Sequence, residues 1–250
     1  MMPSRPWALF LDVDGTLLDI SETPDGVMVP PGLTPNLVTI WQALGGALAF
    51  VTGRSIADLD RLFSPVRLPA AGQHGSEIRF APDDAVIDMP TAPISAPLRH
   101  AVALIARDYP GVELEDKGMT LAVHYRQVPE WERFLSQRLQ DIVNAAGHGI
   151  ILTRGRKVLE LRDMRHSKAT AVQAFMRQPP FTDRVPVFIG DDITDEDGFQ
   201  AVEQFGGNAL AVGDVHRARR QTVFATPADV RAWLNDVSRM FQGGVDACRT

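Results

Sequence analysis

Asp12-Val13-Asp14-Gly15-Thr16-Leu17 stands directly behind the apolar run Trp7-Ala8-Leu9-Phe10-Leu11. Five apolar residues closed by acids and a glycine read as a buried strand whose end carries two carboxylates. Side chains on a strand repeat every two residues, so Asp12 and Asp14 leave the backbone on one side. Gly15 supplies the freedom for a sharp turn. A carboxylate nucleophile with a second carboxyl group beside it to shuttle a proton is one way to hydrolyse a phosphate ester. An EF-hand calcium loop would need a Glu at its twelfth position, where counting from Asp12 finds Thr23. A solvated turn after a strand stays open from this stretch alone.

Outward from it, Thr34-Pro35 ahead of Leu37, Val38, Ile40, Trp41 and Leu44, closed by Gly45-Gly46, predicts a helix capped at Thr34. Residues 47–51 predict a second strand ending at Thr52-Gly53, and Ser55 with Asp58 a capping box for a helix through Phe63. Strand, helix, strand, helix is the pattern of a parallel sheet. It resumes late in the chain. Ser167 is expected to cap a helix through Met176, and residues 185–189 and 209–212 to form strands. Thr194 with Asp197 should start one helix, and Thr226-Pro227 another running through Trp233.

Between these stretches the pattern changes. Residues 98–106 and 131–145 have helical spacing, while residues 120–125 and 157–161 alternate like half-exposed strands. The fold class expected is α/β: a doubly wound, Rossmann-like parallel-sheet core over residues 1–90 and 166–250, with a smaller α+β insert at 91–165. The proline-rich residues 90–97 are the candidate linker.

The 250-residue length suits such a domain with an insert, and 45% hydrophobic with 22% charged residues describes an ordinary soluble protein. A net charge of -6 argues against nucleic-acid or anionic-membrane partners. The insert holds 11 Lys/Arg against 9 Asp/Glu and the remainder 14 against 22, so an anionic ligand between them would find cations partly on the insert. The lone Cys248 cannot form an internal disulfide, and the apolar run before Asp12 is too short for a signal-peptide core or membrane span. The expected location is the cytoplasm.

A second acidic stretch, Gly190-Asp191-Asp192-Ile193-Thr194-Asp195-Glu196-Asp197, also follows an apolar run. If both strands are central and parallel, Asp12 and Asp191 converge as hard oxygen ligands suited to magnesium. A helix N-terminus that favours acids accounts for Glu196 and Asp197 without any metal. Electrostatics calls for cations here. A carboxylate approaching a phosphate dianion meets two charge pairs of about 4 kcal/mol each at 4 Å and an effective dielectric near 20. Lys168, at the start of its helix, could offset part of that, and Thr52 with the Gly53 turn offers a hydroxyl and backbone N–H groups to phosphate oxygens.

Asp12-Val13-Asp14-Gly15-Thr16, Thr52-Gly53-Arg54, Ser167-Lys168 and Gly190-Asp191-Asp192 resemble the four ordered motifs of the haloacid dehalogenase superfamily of phosphatases. The insert resembles that superfamily's larger α/β cap. Within that superfamily, Gly72-Gln73-His74-Gly75-Ser76-Glu77, Glu115-Asp116-Lys117-Gly118, His124-Tyr125-Arg126 and Gly155-Arg156-Lys157-Val158-Leu159-Glu160-Leu161-Arg162 resemble signatures of the trehalose-6-phosphate phosphatase family.

The resemblance implies a magnesium-dependent phosphomonoesterase acting on trehalose 6-phosphate. Asp12 would be the nucleophile and Asp14 the acid/base. Asp12, the Asp14 backbone carbonyl and Asp191 would hold magnesium, and Thr52 and Lys168 the transferring phosphoryl group. On the cap, Glu115, Lys117 and Glu160 would bind sugar hydroxyls. Arg54, His74, His124 and Arg126 join the substrate-binding set, although for His124 and Arg126 one face of a cap strand is an equally sufficient reason. No role follows for Arg154, Lys157, Asp192 or Asp195. The stretch after Lys168 departs from the family in reading Ala169-Thr170 where a glycine is expected. His100, His148, His166 and His216 read as surface or packing residues. The implied partners are a sugar phosphate and, functionally, a trehalose-6-phosphate synthase. A phosphatase for another sugar phosphate and a noncatalytic sensor on the same fold are the rivals.

Overall fold

The computed structural model describes residues 6–20, 26–90, 94–147, 149–155, 157–214 and 222–246. His148, Arg156, His216 and Cys248 lie outside the described residues, as do residues 91–93 of the linker stretch.

Elements run in the order β1 (Trp7–Leu11), α1 (Leu33–Ala43), β2 (Leu48–Val51), α2 (Ile56–Leu62), β3 (Ala70–Gly72), β4 (Glu77–Arg79), β5 (Ile87–Asp88) and α3 (Ala96–Asp108). There follow β6 (Glu113–Asp116), β7 (Leu121–His124), α4 (Glu132–Ala146), β8 (Ile150–Gly155), β9 (Val158–Asp163) and α5 (Lys168–Met176). The chain closes with β10 (Val185–Gly190), α6 (Asp195–Gln204), β11 (Asn208–Val212), β12 (Thr222–Phe224) and α7 (Pro227–Asp246).

Eight strands form one sheet in the order β12-β11-β10-β1-β2-β3-β4-β5. The first six are mutually parallel, while β4 and β5 are added antiparallel. β1 is central, paired with β10 from Trp7↔Val185 to Leu11↔Ile189 and with β2 on its other side. The chain therefore leaves β1 in one direction and returns on the other, which makes the gap between the ends of β1 and β10 a topological switch point where such sheets bind ligands. Trp7 stacks on Trp233 of α7 and Phe10 packs on Phe175 of α5. Opposite parity on one strand means opposite faces, so helices cover both.

Four antiparallel strands, β6-β7-β9-β8, form a second sheet with its own apolar core. Leu121, Val123, Leu159 and Leu161 pack in that core with Leu98, Val102, Leu135 and Leu139 of α3 and α4. Alternation turns Glu115, His124 and Glu160 to the opposite face of this sheet.

Several local expectations are corrected. Helix α1 begins one residue before Thr34, with Gly32 as N-cap in the left-handed region at φ 88°, so Thr34 and Pro35 sit in its first turn. Thr194 precedes α6 without a side-chain cap bond; it is already helical in φ and ψ, and the Asp195 carboxylate takes the free N–H groups of Asp191 and Asp192. Helix α7 runs well past Trp233 because its apolar face continues through Leu234, Val237 and Phe241. Residues 96–97 of the linker stretch lie in the first turn of α3, which Ser95 caps. Lys157 belongs to the β8–β9 turn at φ 59°. The Ala169-Thr170 departure has a structural use, since Thr170 completes a capping box with Ser167. His166 is a packing residue near the Pro90 carbonyl, and His100 is exposed.

Candidate active site

All twelve residues singled out in the sequence line one cavity of about 400 Å³ between the ends of β1, β2 and β10 and the polar face of the second sheet. On the core side these are Asp12, Asp14, Thr52, Arg54, His74, Lys168 and Asp191, and on the other Glu115, Lys117, His124, Arg126 and Glu160.

Lys168 defines the floor. As the first residue of α5 it is only 3% exposed, and its Nζ lies 2.8 Å from Asp12 Oδ1 and 2.6 Å from Asp195 Oδ1. Burial opposes its charge, but the two carboxylates hold the ammonium protonated, well above its ordinary pKa. Burial raises Asp12 to about 6 against the pull of Lys168. Burial, with the charges of Asp12, Asp195 and Asp192, raises Asp191 to about 9.

Asp12, Asp191 and Asp195 each place a carboxylate oxygen within 4.8 Å of the others, and all three are buried. Three buried carboxylates against one ammonium, all hard oxygen donors, fit a divalent cation of the magnesium class. The side chain of Asp14 is outside this cluster and is paired with Arg54 instead. Gly15 is obligatory beside the cluster: its φ is 81°, and a Cβ there would overlap the Asp191 carboxylate. Thr16 donates its hydroxyl to Asp191 Oδ1 at 3.0 Å.

Asp195 was missed by sequence reading. Two acids four apart across a strand-to-helix turn were the available signal, but the acidic preference of helix starts explains them equally well. Only the fold shows that Asp195 is fully buried and receives Lys168 and the N–H groups of Asp191 and Asp192 at 2.6, 3.0 and 2.9 Å.

The turn after β2 carries Thr52, Gly53 and Arg54. The buried Thr52 hydroxyl accepts from Arg54 N at 3.3 Å, and Arg54 forms a bidentate pair with Asp14. Behind it, Glu77 Oε1 accepts from Ile56 N at 2.6 Å and steadies the start of α2.

On the second sheet, Glu115, Ala122 and Glu160 are register neighbours across β6, β7 and β9. Lys117 Nζ lies 3.2 Å from Glu160 Oε1 and 3.8 Å from Glu115 Oε2. Burial opposes the ionised state of Glu160, yet His74 and Lys117 hold its pKa well below the usual carboxylate range. The hydrogen bond from His124, 2.9 Å away, lowers Glu115.

This architecture, a parallel sheet with Asp12, Thr52, Lys168 and Asp191 gathered at one end beneath a smaller α+β sheet, is the fold of the haloacid dehalogenase class. The sequence model of the trehalose-phosphatase family matches residues 10–227. A probable trehalose-phosphate phosphatase of Sinorhizobium fredii is 44% identical over 207 residues, 83% of this chain and 78% of its own length. The trehalose-6-phosphate phosphatase of Escherichia coli is 38% identical over 96% of this chain and 89% of its own. The C-terminal domain of the C. albicans trehalose-6-phosphate phosphatase superposes with a TM-score of 0.80 at 19% identity, covering 94% of this chain and 92% of that one. The chain belongs to the trehalose-phosphatase family and is a phosphatase enzyme.

Proposed function

We propose that the protein is a magnesium-dependent phosphomonoesterase that hydrolyses trehalose 6-phosphate to trehalose and phosphate through an aspartyl-phosphate on Asp12. The observation that carries the reading is Lys168, buried between Asp12 and Asp195, at the floor of a cavity roofed by Glu115, Lys117 and Glu160.

In this reading an Asp12 carboxylate oxygen attacks phosphorus, the bond from phosphorus to the sugar oxygen breaks, and Asp14 delivers a proton to that oxygen. Asp14 then takes a proton from water, whose oxygen attacks phosphorus and releases Asp12 and inorganic phosphate. Thr52 and the Gly53 turn hold the phosphoryl oxygens, and Lys168 offsets their charge. A divalent cation held by Asp12, Asp191 and the Asp14 carbonyl would supply the remaining neutralisation that lets two anions meet.

Residues 91–165 act as the cap in this proposal. Its Glu115, Lys117 and Glu160 take sugar hydroxyls, with Arg54, His124 and Arg126 around them and His74 bonded to Glu160 from the core side. Charge-assisted hydrogen bonds are about twice as strong as neutral ones, and sites built to pair hydroxyls reject ligands that lack them. The substrate would come from a trehalose-6-phosphate synthase, in the cytoplasm. Among the described residues no helix is long and apolar enough to cross a membrane.

Phosphate release from a panel of sugar phosphates, with and without magnesium and with Asp12→Asn as the blank, tests the reading. Trehalose 6-phosphate should be turned over best and only with the metal. Equal rates across the panel would remove the substrate assignment, and binding without turnover would favour a sensor.

A further inference from the structure

We propose that His74 is a positioning residue that ties the sugar-reading carboxylate Glu160 to the phosphate-binding turn, so that selectivity for the sugar phosphate depends on a core residue that reads no sugar itself. This rests on the reading above, in which Glu160 and Lys117 take sugar hydroxyls and Thr52 with Gly53 the phosphoryl group.

The backbone around His74 is unusual. Gln73, His74 and Gly75 are consecutive left-handed residues at φ 46°, 57° and 96°, a conformation that non-glycine residues seldom hold unless their surroundings fix it. Here the surroundings are the phosphate-binding turn. Gln73 N donates to Arg54 O and His74 N to Thr52 O, each at 2.9 Å. The imidazole lies directly over Gly53, where a Cβ would come within 2.8 Å of Nε2.

From that seat Nε2 reaches across to Glu160 Oε2 at 2.6 Å, and both side chains are buried. With a carboxylate as acceptor, Nε2 carries the hydrogen. The other oxygen, Oε1, lies 3.2 Å from Lys117 Nζ, and that ammonium also donates to the Gly53 carbonyl at 3.3 Å. Glu160 is thus connected twice to the same three-residue turn, through His74 and through Lys117. A second carboxylate–imidazole pair, Glu115 with His124 at 2.9 Å, has the same chemistry but joins two strands of one sheet. Among the described residues, of these two pairs it is the His74 pair that spans from the core side to the small sheet.

The consequence is division of labour on Glu160. Oε2 is held by His74, so the orientation in which the carboxylate meets a sugar hydroxyl is set by the turn that meets the phosphate. Without His74, Glu160 keeps Lys117 but loses the fixed direction, and recognition of the sugar suffers more than phosphate chemistry at Asp12.

The test compares kcat/KM for trehalose 6-phosphate with that for p-nitrophenyl phosphate, which has no sugar. Asn tolerates left-handed backbone but is too short to reach Glu160, so His74→Asn should lower the ratio of the two roughly ten- to a hundred-fold, mainly through KM for the sugar phosphate. His74→Gln keeps a donor near the Nε2 position and should recover most of the ratio. Independently of any variant, inorganic phosphate and free trehalose should each tighten binding of the other to the wild-type protein, about tenfold by calorimetry. His74→Asn should lose most of that mutual effect. An unchanged ratio in His74→Asn, equal losses in the Asn and Gln variants, or independent binding of phosphate and trehalose would each overturn the proposal. A wild-type protein without preference for the sugar phosphate would instead remove the functional reading beneath it.

Discussion

Arg54 donates Nε to Asp14 Oδ2 at 2.6 Å and its Nη2 to Oδ1 at 2.7 Å, joining the turn after β2 to the turn after β1. The fork geometry fixes the plane of the carboxylate assigned to proton transfer, which a lysine could not do. Asp14→Asn should lower kcat by roughly 10²–10⁴-fold with little change in KM, the usual weight of a positioned acid/base. Arg54→Lys should cost about tenfold in kcat, and adding it to Asp14→Asn should cost almost nothing further, because neighbours acting through one another are not additive. Full additivity in the double variant would show that Arg54 acts on the substrate by another route.

Among the described residues, Lys168 is the one ammonium that meets the acidic cluster of Asp12, Asp191 and Asp195 on the cavity floor. Lys168→Met leaves two buried carboxylates without their shared partner, and removing one side of a buried ion pair typically costs about 3–5 kcal/mol. Denaturant unfolding should register a loss of that size together with loss of turnover. A variant as stable as the wild type would mean that the carboxylates find other compensation.

The acidic cluster predicts a cation response that does not depend on turnover. Magnesium at about one hundred times its Kd should stabilise the wild type by about 2.7 kcal/mol, seen as a higher Tm, and a chelator should reverse it. Asp191→Asn should lose most of the shift, since it removes a ligand that the fold holds against Thr16 and over Gly15. An equal shift in both proteins would place the cation elsewhere.

Glu160 sets a pH dependence. Burial opposes its ionisation, but His74 and Lys117 lower its folded pKa below the ordinary 4.5. A depressed carboxylate contributes stability above its unfolded pKa and loses it as pH falls through the folded one. The Tm difference between wild type and Glu160→Gln should therefore be steady near neutrality and shrink below about pH 4.5. A gap that widens on acidification would contradict the assigned ion pairs.

The strand and helix patterns around Asp12, Thr52, Lys168 and Asp191 were legible because Asp12, Thr52 and Asp191 each follow a short apolar run and Lys168 follows a helix-capping serine, and such local signals are a property of the chain itself. The short strands β3, β4 and β5 were not, since Ala70–Gly72 and Ile87–Asp88 are too brief to show a period and exist only by pairing with neighbours. β8 escaped for a related reason: its residues are half-exposed on both faces, so no alternation marks them.

What the sequence determined by itself was the set of chemical groups and the order in which the chain presents them: Asp12 and Asp14 behind one strand, Thr52 behind another, Lys168 at a helix start, Asp191 behind a third. Only the tertiary structure decided which of those groups meet. It parted the two opening carboxylates, giving Asp12 to Lys168 and Asp14 to Arg54, and it drew in Asp195 as the buried partner of Lys168. It also carried Glu160 across to His74, 86 residues away in the chain. The physical reason is that charge interactions act through distance and burial, and both are settled by strand order and packing between sheets, which local sequence does not encode.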